Sequence, residues 1–434
     1  MTYTFKDVLN LEISPVLGCT EPVAVALAAA SAASLLQDQQ ISEIRVLVSP
    51  GVFKNGIGVY LPGTGGLRGL DLAAALGALG GDPAQRMQVL AFLENHVVQR
   101  AREFIAAGKV SLDIDLQHSG LRVQVQLQSV THSARAVIQG QHDHLVELCL
   151  DNTPVDLERV LDPGAATNQK ELPRLESWLS AQELPALIEL SQELAQEELD
   201  YLYTGVEYNM ALAEYGLQKS PGLAVGAGLQ TLVHQGLLQE DLQLQAQILT
   251  AAAADARMSG AELPAMSSAG SGNNGLTAIL AIWAARDYLN VPRERILSGI
   301  ALSHLLTITV KTRIGRLAPL CTCSIAAGAG AAAGLAKVMQ SDQDRILAAV
   351  LNLLQDLTGV ICDGAKPGCA LKLATAAGSA VKSALLATHG VSIPPQEGLS
   401  AATLHGAIDN LAELCARGMQ DMEHTVLDIL QTKQ

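Results

Sequence analysis

Long stretches of alanine, leucine, valine and glycine, with very few aromatic residues, constrain the fold of this chain more than any other feature of the sequence. Apolar residues make up 49% of its 434 residues, whereas Phe, Trp and Tyr together make up 3%. The interior must therefore be built from small and aliphatic side chains, which allow helix axes to approach closely. At this length, two or three domains and a buried active site are expected.

The charge balance excludes several classes of partner. The chain has 43 acidic and 28 basic residues and a formal charge of -15, so it lacks the basic surface that binds nucleic acid or an anionic membrane. Residues 1–10 contain Lys6 and Asp7 and do not resemble a signal peptide. Residues 317–336 contain Pro319, two Cys and three Gly, which favours a buried helix over a membrane span. We expect a cytoplasmic protein, and the Ala-rich helices make a homodimer possible.

The periodicity of apolar residues predicts an α+β fold with a predominantly helical catalytic domain and an inserted α/β module near the N-terminus. A buried helix is expected over 21–36, further helices over 71–79 and 85–107, strands over 42–49, 110–127 and 145–150, and a polar linker over 162–173. The predicted division is an N-terminal segment (1–40) packing on the helical domain, the α/β module (41–165), and the helical domain (166–434).

Three interruptions in the helical half contain most of the chemically interesting residues. They are rich in Gly, Ser and Pro and cover 255–275, 313–323 and 362–369. Each is expected where one helix ends and another begins. Within the first interruption, Asp255 and Arg257 are expected to pair with each other.

Seven scattered cysteines are too few for a disulfide scaffold, and clustering in a reducing compartment indicates metal binding or catalysis. Cys362 and Cys369 flank a loop that contains two Gly and one Pro, so both thiolates could face one site. A third sulfur would come from Cys321 or Cys323. Three thiolates suit a [4Fe–4S] cluster with one open iron that acts as a Lewis acid. The alternative is that these cysteines are small apolar residues of an Ala-rich core, the interpretation we give to Cys149 and Cys415.

The segment 267–275 is rich in Ser, Gly and Asn and precedes an apolar helical run. Ser271, Asn273 and Asn274 with free backbone N–H groups at a helix N-terminus could bind a carboxylate. The alternative is a polar turn with an ordinary N-cap. Lys311, close in sequence to two arginines, adds positive charge that would favour a carboxylate substrate.

Two residues are candidate bases. Cys19 lies just before the first buried helix, whose dipole should favour the thiolate; it could abstract a proton, act as a fourth cluster ligand, or simply be buried. His304 lies on an apolar helical face. A histidine there is either catalytic or a core residue whose ring nitrogens form hydrogen bonds within the protein.

Several of these motifs occur in the order found in a known family. They are Gly18-Cys19-Thr20-Glu21-Pro22, Ser49-Pro50 with Lys54-Asn55-Gly56, Pro62-Gly63-Thr64-Gly65, Asp255-Ala256-Arg257-Met258, Ser271-Gly272-Asn273-Asn274-Gly275, Ser303-His304-Leu305 and Ile361-Cys362-Asp363-Gly364-Ala365 through Cys369. Over almost its whole length the chain resembles the L-cysteine desulfidase family and, more distantly, the α-chain of iron–sulfur L-serine dehydratases. The resemblance implies a [4Fe–4S] cluster held by Cys321, Cys362 and Cys369, with Cys19 near the reacting centre. Cys323 leaves the first ligand ambiguous.

The reaction implied by the resemblance is β-elimination of L-cysteine to pyruvate, ammonia and sulfide, with L-serine as the second choice of substrate. The open iron would take the leaving group, the Ser/Asn loop the carboxylate, and Cys19 or His304 the Cα proton. One rival is a pyridoxal-phosphate lyase with Lys311, Lys366 or Lys372 as the Schiff-base lysine. Another is a non-catalytic helical binding protein.

Overall fold

A mixed six-stranded sheet and a larger body of helices make up the computed structural model, which describes residues 2–36, 40–91, 93–118, 120–157, 160 and 163–433. The helices are α1 (Phe5–Glu12), α2 (Thr20–Leu36), α3 (Pro50–Gly56), α4 (Leu70–Gly80), α5 (Asn95–Ala106), α6 (Pro163–Ser180), α7 (Leu184–Leu190), α8 (Gln196–Lys219), α9 (Val225–His234), α10 (Leu242–Met258), α11 (Gly272–Trp283), α12 (Arg293–Ile314), α13 (Thr322–Val338), α14 (Gln343–Leu357), α15 (Cys369–Thr388), α16 (Leu404–Glu413) and α17 (Gln420–Gln431). The strands are β1 (Pro15–Val16), β2 (Ile41–Val48), β3 (Val110–Ile114), β4 (Arg122–Ser129), β5 (Ser133–Gln139), β6 (Leu145–Leu150), β7 (Thr153–Pro154) and β8 (Ala265–Met266). The predicted α+β class is confirmed.

The six-stranded sheet has the order β3-β2-β4-β5-β6-β7. Strands β2 and β3 are parallel, and the remaining neighbours are antiparallel. Val46 lies opposite both Leu112 and Val125, so apolar side chains from neighbouring strands share one face. That face packs in one apolar cluster with α2 and α4. Strand β5 was not predicted, because its inward positions Ala134 and Ala136 are too small to give a clear apolar alternation.

The first 40 residues contribute to both parts of the fold. Helix α1 contacts α6 and α8, whereas α2 contacts α4 and the sheet and is buried on almost every side. The three-part domain division stays a prediction. The linker predicted over 162–173 is wrong: residue 162 lies outside the described residues, and α6 begins at Pro163 and buries Leu175 and Leu179. A proline at the first helical position loses no hydrogen bond, so it does not mark a linker.

Helix α13 lies at the centre of the helical part, where it packs against α11, α12, α14 and α15. A Cβ atom on Gly330 would lie 2.3 Å from the Ser303 carbonyl oxygen of α12, and one on Gly334 would lie 2.4 Å from the Gly299 carbonyl oxygen. Glycine therefore permits the two backbones to touch. The buried helix predicted within 317–336 is confirmed.

One helix among the described residues, α15, is long and apolar enough to cross a membrane by length and composition alone. Its apolar window is 67% buried inside the protein, and it packs against α10, α13 and α14. Helix α15 is therefore a core helix of this fold.

The short pairing of β1 with β8 brings two distant segments together. Pro15 lies opposite Met266, in antiparallel register. The pairing places the segment that leads into α2 beside the segment that leads into α11, although about 250 residues separate them in sequence. The three interruptions predicted in the helical half coincide with the breaks before α11, α13 and α15.

The close contact between α2 and α4 provides a test of this packing. A Cβ on Gly77 would lie 2.2 Å from the Ala26 carbonyl oxygen, so we expect Gly77→Ala to lower the free energy of unfolding by about 1–3 kcal/mol. The matched control is Gly228→Ala on α9, where no atom lies within 4 Å and alanine favours the helix by up to about 1 kcal/mol. Thermal unfolding followed by circular dichroism compares them; equal melting temperatures would contradict the assigned helix contact.

Candidate active site

One pocket is lined by residues from the N-terminal ends of four helices. They are Cys19 and Thr20 at α2, Ser271 and Asn273 at α11, Cys321 and Thr322 at α13, and Cys369 and Lys372 at α15. Helix N-termini present free N–H groups and the positive end of the helix dipole. The arrangement therefore favours anionic groups, including thiolates and carboxylates.

Five of the seven cysteines line this pocket: Cys19, Cys321, Cys323, Cys362 and Cys369. Cys149 and Cys415 do not line it; Cys149 lies on β6 beside Glu147, and Cys415 is buried in the turn before α17. The structure thus brings together the three predicted cluster ligands, the second candidate for the first ligand, and Cys19, one of the two predicted bases.

The Cys321-Thr322-Cys323 pair starts α13. The Cys321 backbone N–H donates to the Val360 carbonyl oxygen at 2.8 Å, and the Ser324 hydroxyl donates to the Cys321 sulfur at 3.4 Å. Hydrogen bonds from the Cys323 thiol and the Ser324 hydroxyl lower the pKa of Cys321 to about 6. The same thiol–thiol hydrogen bond, together with burial, raises the pKa of Cys323 well above its usual value. The hydrogen bond between the two thiols therefore favours the thiolate form on Cys321.

The loop that carries Cys362 and Cys369 folds back against α3. Gly364 has a φ of +94°, and a Cβ there would lie 2.1 Å from the Lys54 carbonyl oxygen. The Cys362 N–H donates to the Pro319 carbonyl oxygen at 2.6 Å, which ties the loop to the segment before α13. Burial raises the pKa of Cys369 to about 12, and a charge on Cys321 adds to the shift. The charge effect reflects how close the thiols are.

The donor set around the pocket is rich in sulfur, which fits the chemistry of an iron–sulfur cluster. Within the described part of the chain, no three His, Cys, Asp or Glu side chains are placed to hold one ion. In an iron–sulfur cluster each cysteine binds a different iron atom, so the sulfurs stand farther apart than the ligands of one metal. Several thiols around one pocket are the donor chemistry that Fe–S clusters use.

Cys19 is held in a buried position before α2. Arg257 donates through Nη2 to the Gly18 carbonyl oxygen at 2.6 Å and through Nη1 to Asn273 Oδ1 at 2.8 Å. Burial raises the pKa of Cys19 to about 11, although Arg257 acts in the opposite direction. Burial therefore opposes the thiolate that the helix dipole is predicted to favour at Cys19, and the charge of Arg257 favours it.

The loop before α11 makes a tight turn closed by reciprocal hydrogen bonds between Ser268 and Ser271, both 3.1 Å. Ala269 and Gly270 have φ values of 50° and 68°. The Ala269 carbonyl oxygen accepts from Lys311 Nζ at 2.7 Å and from Arg316 Nη1 at 3.2 Å. Burial and the charge of Arg316 lower the pKa of Lys311 to about 8. Lys311 lines the pocket, as do Ser271 and Asn273.

The three predicted carboxylate-binding residues of this loop occupy different positions. Ser271 is the N-cap residue of α11, but its hydroxyl makes no hydrogen bond to the helix. The hydroxyl is therefore available to a ligand. The Asn273 carboxamide is bonded to Arg257. Asn274 is fully buried, accepts a hydrogen bond from the Thr322 hydroxyl at 3.1 Å and does not line the pocket. Asn274 therefore connects the starts of α11 and α13.

His304 is fully buried on α12, outside the pocket wall. Its Nδ1 lies 2.9 Å from the Ser268 hydroxyl, and its Nε2 has no hydrogen-bond partner among the described residues. Burial lowers the pKa of His304 to about 3, so the ring is neutral near pH 7. It supports the Ser/Asn loop from behind.

Several polar residues of the pocket were not predicted as site residues, among them Glu21, Asn55 and His142. Glu21 accepts hydrogen bonds from Asn55 Nδ2 at 3.2 Å and the Thr20 hydroxyl at 3.1 Å, and its Oε1 lies 3.6 Å from His142 Nε2. Burial alone would raise the pKa of Glu21, but His142 and Asn55 lower it to about 2. Glu21 and Asn55 belong to motifs visible in the sequence; His142, between β5 and β6, gave no signal.

The expected pairing of Asp255 with Arg257 is also wrong. Asp255 instead accepts the Gly226 backbone N–H at 3.0 Å and caps α9. Burial raises the pKa of Asp255 to about 6. The two residues lie on different faces of α10, because neighbours two positions apart on a helix do not face each other.

The lysines considered for a Schiff base differ in their surroundings. Lys366 and Lys372 both pair with Asp363, and Lys372 also donates to the Ile361 carbonyl oxygen at 2.8 Å. Lys372 and Lys311 line the pocket, and Lys366 does not.

Comparison with known proteins places these features in a family. Residues 117–428 match the model of the serine dehydratase alpha chain. The UPF0597 protein of Desulfatibacillum aliphaticivorans is 46% identical over 100% of this chain and 99% of its own length, and that of Desulfotalea psychrophila is 44% identical over the same shares. The UPF0597 protein GSU1527 of Geobacter sulfurreducens is 37% identical over 99% of this chain and 98% of its own.

Arg257 provides a test of how the pocket wall is held. A lysine cannot reach both the Gly18 carbonyl and Asn273, so we expect Arg257→Lys to lower the free energy of unfolding by about 1–3 kcal/mol. The matched control is Arg417→Lys, where the exposed arginine pairs with Glu413 one turn earlier and a change below about 0.5 kcal/mol is expected. Denaturant unfolding measures both; an unaffected Arg257→Lys would show that the bridge does not hold the wall.

Proposed function

The chain belongs to the UPF0597 family and contains a serine dehydratase alpha chain domain, and from this premise we propose that it is an iron–sulfur lyase that removes the β-substituent of a small amino acid. L-Cysteine is the favoured substrate, giving pyruvate, ammonia and sulfide. The observation that carries the proposal is the grouping of five cysteines from distant parts of the sequence around one pocket at four helix N-termini.

Cys321, Cys362 and Cys369 are the residues that would hold a [4Fe–4S] cluster, which supplies Lewis acidity toward the leaving group when it is bound. Two of the three lie at helix N-termini, where the dipole stabilises thiolate charge. Hydrogen bonds from the Cys323 thiol and the Ser324 hydroxyl also stabilise the thiolate charge of Cys321. Cys323 is the second candidate for this position.

The substrate carboxylate is assigned to the start of α11. The first N–H groups of that helix have no partner within the helix, the Ser271 hydroxyl makes no capping hydrogen bond, and the Lys311 ammonium lies in the same pocket wall. An anion held by backbone N–H groups, a hydroxyl and a nearby cation is fixed in orientation as well as position. Asn273 and Asn274 hold this loop through Arg257 and Thr322.

Cys19 is the proposed base, because it lines the pocket whereas His304 lies behind the Ser/Asn loop. Its thiolate takes the Cα proton, the Cα–H electron pair forms the Cα–Cβ double bond, and the Cβ–S bond breaks with its electrons leaving on sulfur. Arg257 stabilises the thiolate. The aminoacrylate released then hydrolyses to pyruvate and ammonia. His304 is the alternative base.

L-Serine dehydration is the second candidate function, because the matching family model is that of the serine dehydratase alpha chain. The same residues would act, and water would leave in place of sulfide. Cytoplasmic location and a homodimer stay predictions.

Removing single cysteines tests the cluster assignment. We expect Cys362→Ala and Cys369→Ala to abolish cluster assembly during anaerobic reconstitution, because each removes one ligand. Cys415→Ala is the matched control and retains full iron, because Cys415 is buried outside the pocket. Iron and sulfide analysis gives the result. Equal iron content in all three variants would refute the assignment of Cys362 and Cys369 as cluster ligands. Comparing the iron content of Cys321→Ala and Cys323→Ala shows which of these two cysteines is the third ligand.

Product analysis tests the reaction. We expect the anaerobically reconstituted protein to release pyruvate and sulfide from L-cysteine, and more slowly pyruvate from L-serine. A pyridoxal-phosphate lyase would instead show an absorption band that borohydride removes, and a non-catalytic binding protein would give no pyruvate from either amino acid. Either result contradicts the iron–sulfur lyase. Faster turnover of L-serine would reverse the substrate order only.

A further inference from the structure

A free amino acid brings two opposite charges into a pocket, and each needs a partner once water is excluded. The pocket wall is rich in cations: Lys311, Arg257, Arg316 and Lys372 all contribute to it. Arg316 pairs with Glu12 and Glu176, and Lys372 pairs with Asp363, whereas Lys311 lies near the site assigned to the substrate carboxylate. Among the described side chains of the wall, Glu21 is the one carboxylate.

The Glu21 carboxylate is fixed from one side by neutral donors and an imidazole. Oε1 accepts from Asn55 Nδ2 at 3.2 Å and lies 3.6 Å from His142 Nε2, and Oε2 accepts from the Thr20 hydroxyl at 3.1 Å. Each oxygen can accept more than one hydrogen bond. The residue is 8% exposed, so its remaining acceptor capacity is available chiefly to a ligand in the pocket.

We propose that Glu21 binds the α-ammonium group of the substrate and thereby selects α-amino acids over carboxylic acids that lack the amino group. The inference rests on the proposed function for the substrate class. It assigns the two ends of the amino acid to two neighbouring parts of the pocket wall, which Arg257 links: the carboxylate to the start of α11, and the ammonium to the start of α2. The side chain that is eliminated then faces the thiols contributed by α13, α15 and the loop between α14 and α15.

His142 is a positioning residue for this contact. It is 5% exposed and reaches Glu21 from the turn between β5 and β6. Its Nε2 has no closer hydrogen-bond partner in the described part of the chain. On its other side, a Cβ on Gly270 would lie 3.8 Å from His142 Nδ1, so the ring also packs against the Ser/Asn loop. His142 therefore touches both assigned ends of the substrate site.

Two ligands without a leaving group isolate the ammonium contact from catalysis. L-Alanine and propionate differ in the amino group alone, and neither has a β-substituent to lose. Calorimetric titration of the anaerobically reconstituted protein should show tighter binding of L-alanine. Glu21→Gln should reduce that preference by roughly 30-fold or more, because it removes one partner of a buried charge pair, and should leave propionate binding within about threefold, since propionate makes no such pair.

The controls separate this inference from a folding defect. Glu43→Gln removes an exposed carboxylate that pairs with Arg45 and should keep the full preference. Glu21→Asp retains the negative charge and should therefore keep part of the preference for L-alanine over propionate. His142→Gln leaves Glu21 in place and should lower the preference by a smaller factor, which gives a second test if Glu21→Gln does not fold.

The outcomes are distinct from those of the lyase proposal. A wild-type protein that binds L-alanine no better than propionate, or a folded Glu21→Gln protein that keeps the wild-type preference, overturns the assignment. Neither ligand is turned over, so the result does not depend on pyruvate formation. A protein that shows the Glu21-dependent preference but makes no pyruvate from L-cysteine or L-serine would refute the lyase and leave this contact standing.

Discussion

The convergence of four helix N-termini on one buried pocket is the constraint on which the rest of the structure depends. A helix N-terminus stabilises negative charge through its free N–H groups and its dipole, and four of them together favour the binding of anionic groups in the pocket. The same convergence would leave four sets of unpaired N–H groups if the pocket held nothing anionic. Thiols at the starts of α2, α13 and α15 fit this electrostatic environment.

Close backbone packing makes the convergence possible, and it explains why the chain is rich in alanine and glycine. Helix α11 reaches the pocket only because Gly275 touches the strand before it: a Cβ there would lie 1.9 Å from the Met266 carbonyl oxygen. Gly330 and Gly334 serve the same purpose between α13 and α12. Larger side chains would separate the helices and move the thiols apart. The small-residue composition and the site are therefore consequences of one packing requirement.

The sequence predicts the repeating parts of this molecule well. Helices such as α2 and α13 and strands such as β2 and β4 follow from apolar periodicity, and the breaks before α11, α13 and α15 follow from Gly, Ser and Pro. What it misses depends on tertiary contacts. Strand β5 has alanines at its inward positions, and the pKa of Cys19 is set by desolvation that no local pattern reveals. His142 reaches the pocket through the register of a hairpin far along the chain.

The pocket is formed partly by residues inside the matched serine dehydratase domain and partly by residues that precede it. The serine dehydratase alpha chain model begins at residue 117, so Cys19, Glu21 and Asn55 lie outside the match, while the cysteines of α13 and α15 lie inside it. The UPF0597 relatives match essentially the whole chain, including this N-terminal wall. A pocket with some walls inside the matched domain and another contributed by the N-terminal segment could keep the chemistry proposed for the matched domain and change how the substrate is held. The α2 and α3 wall, through Glu21 and Asn55, is therefore the part of the structure where substrate choice in this family is expected to be decided.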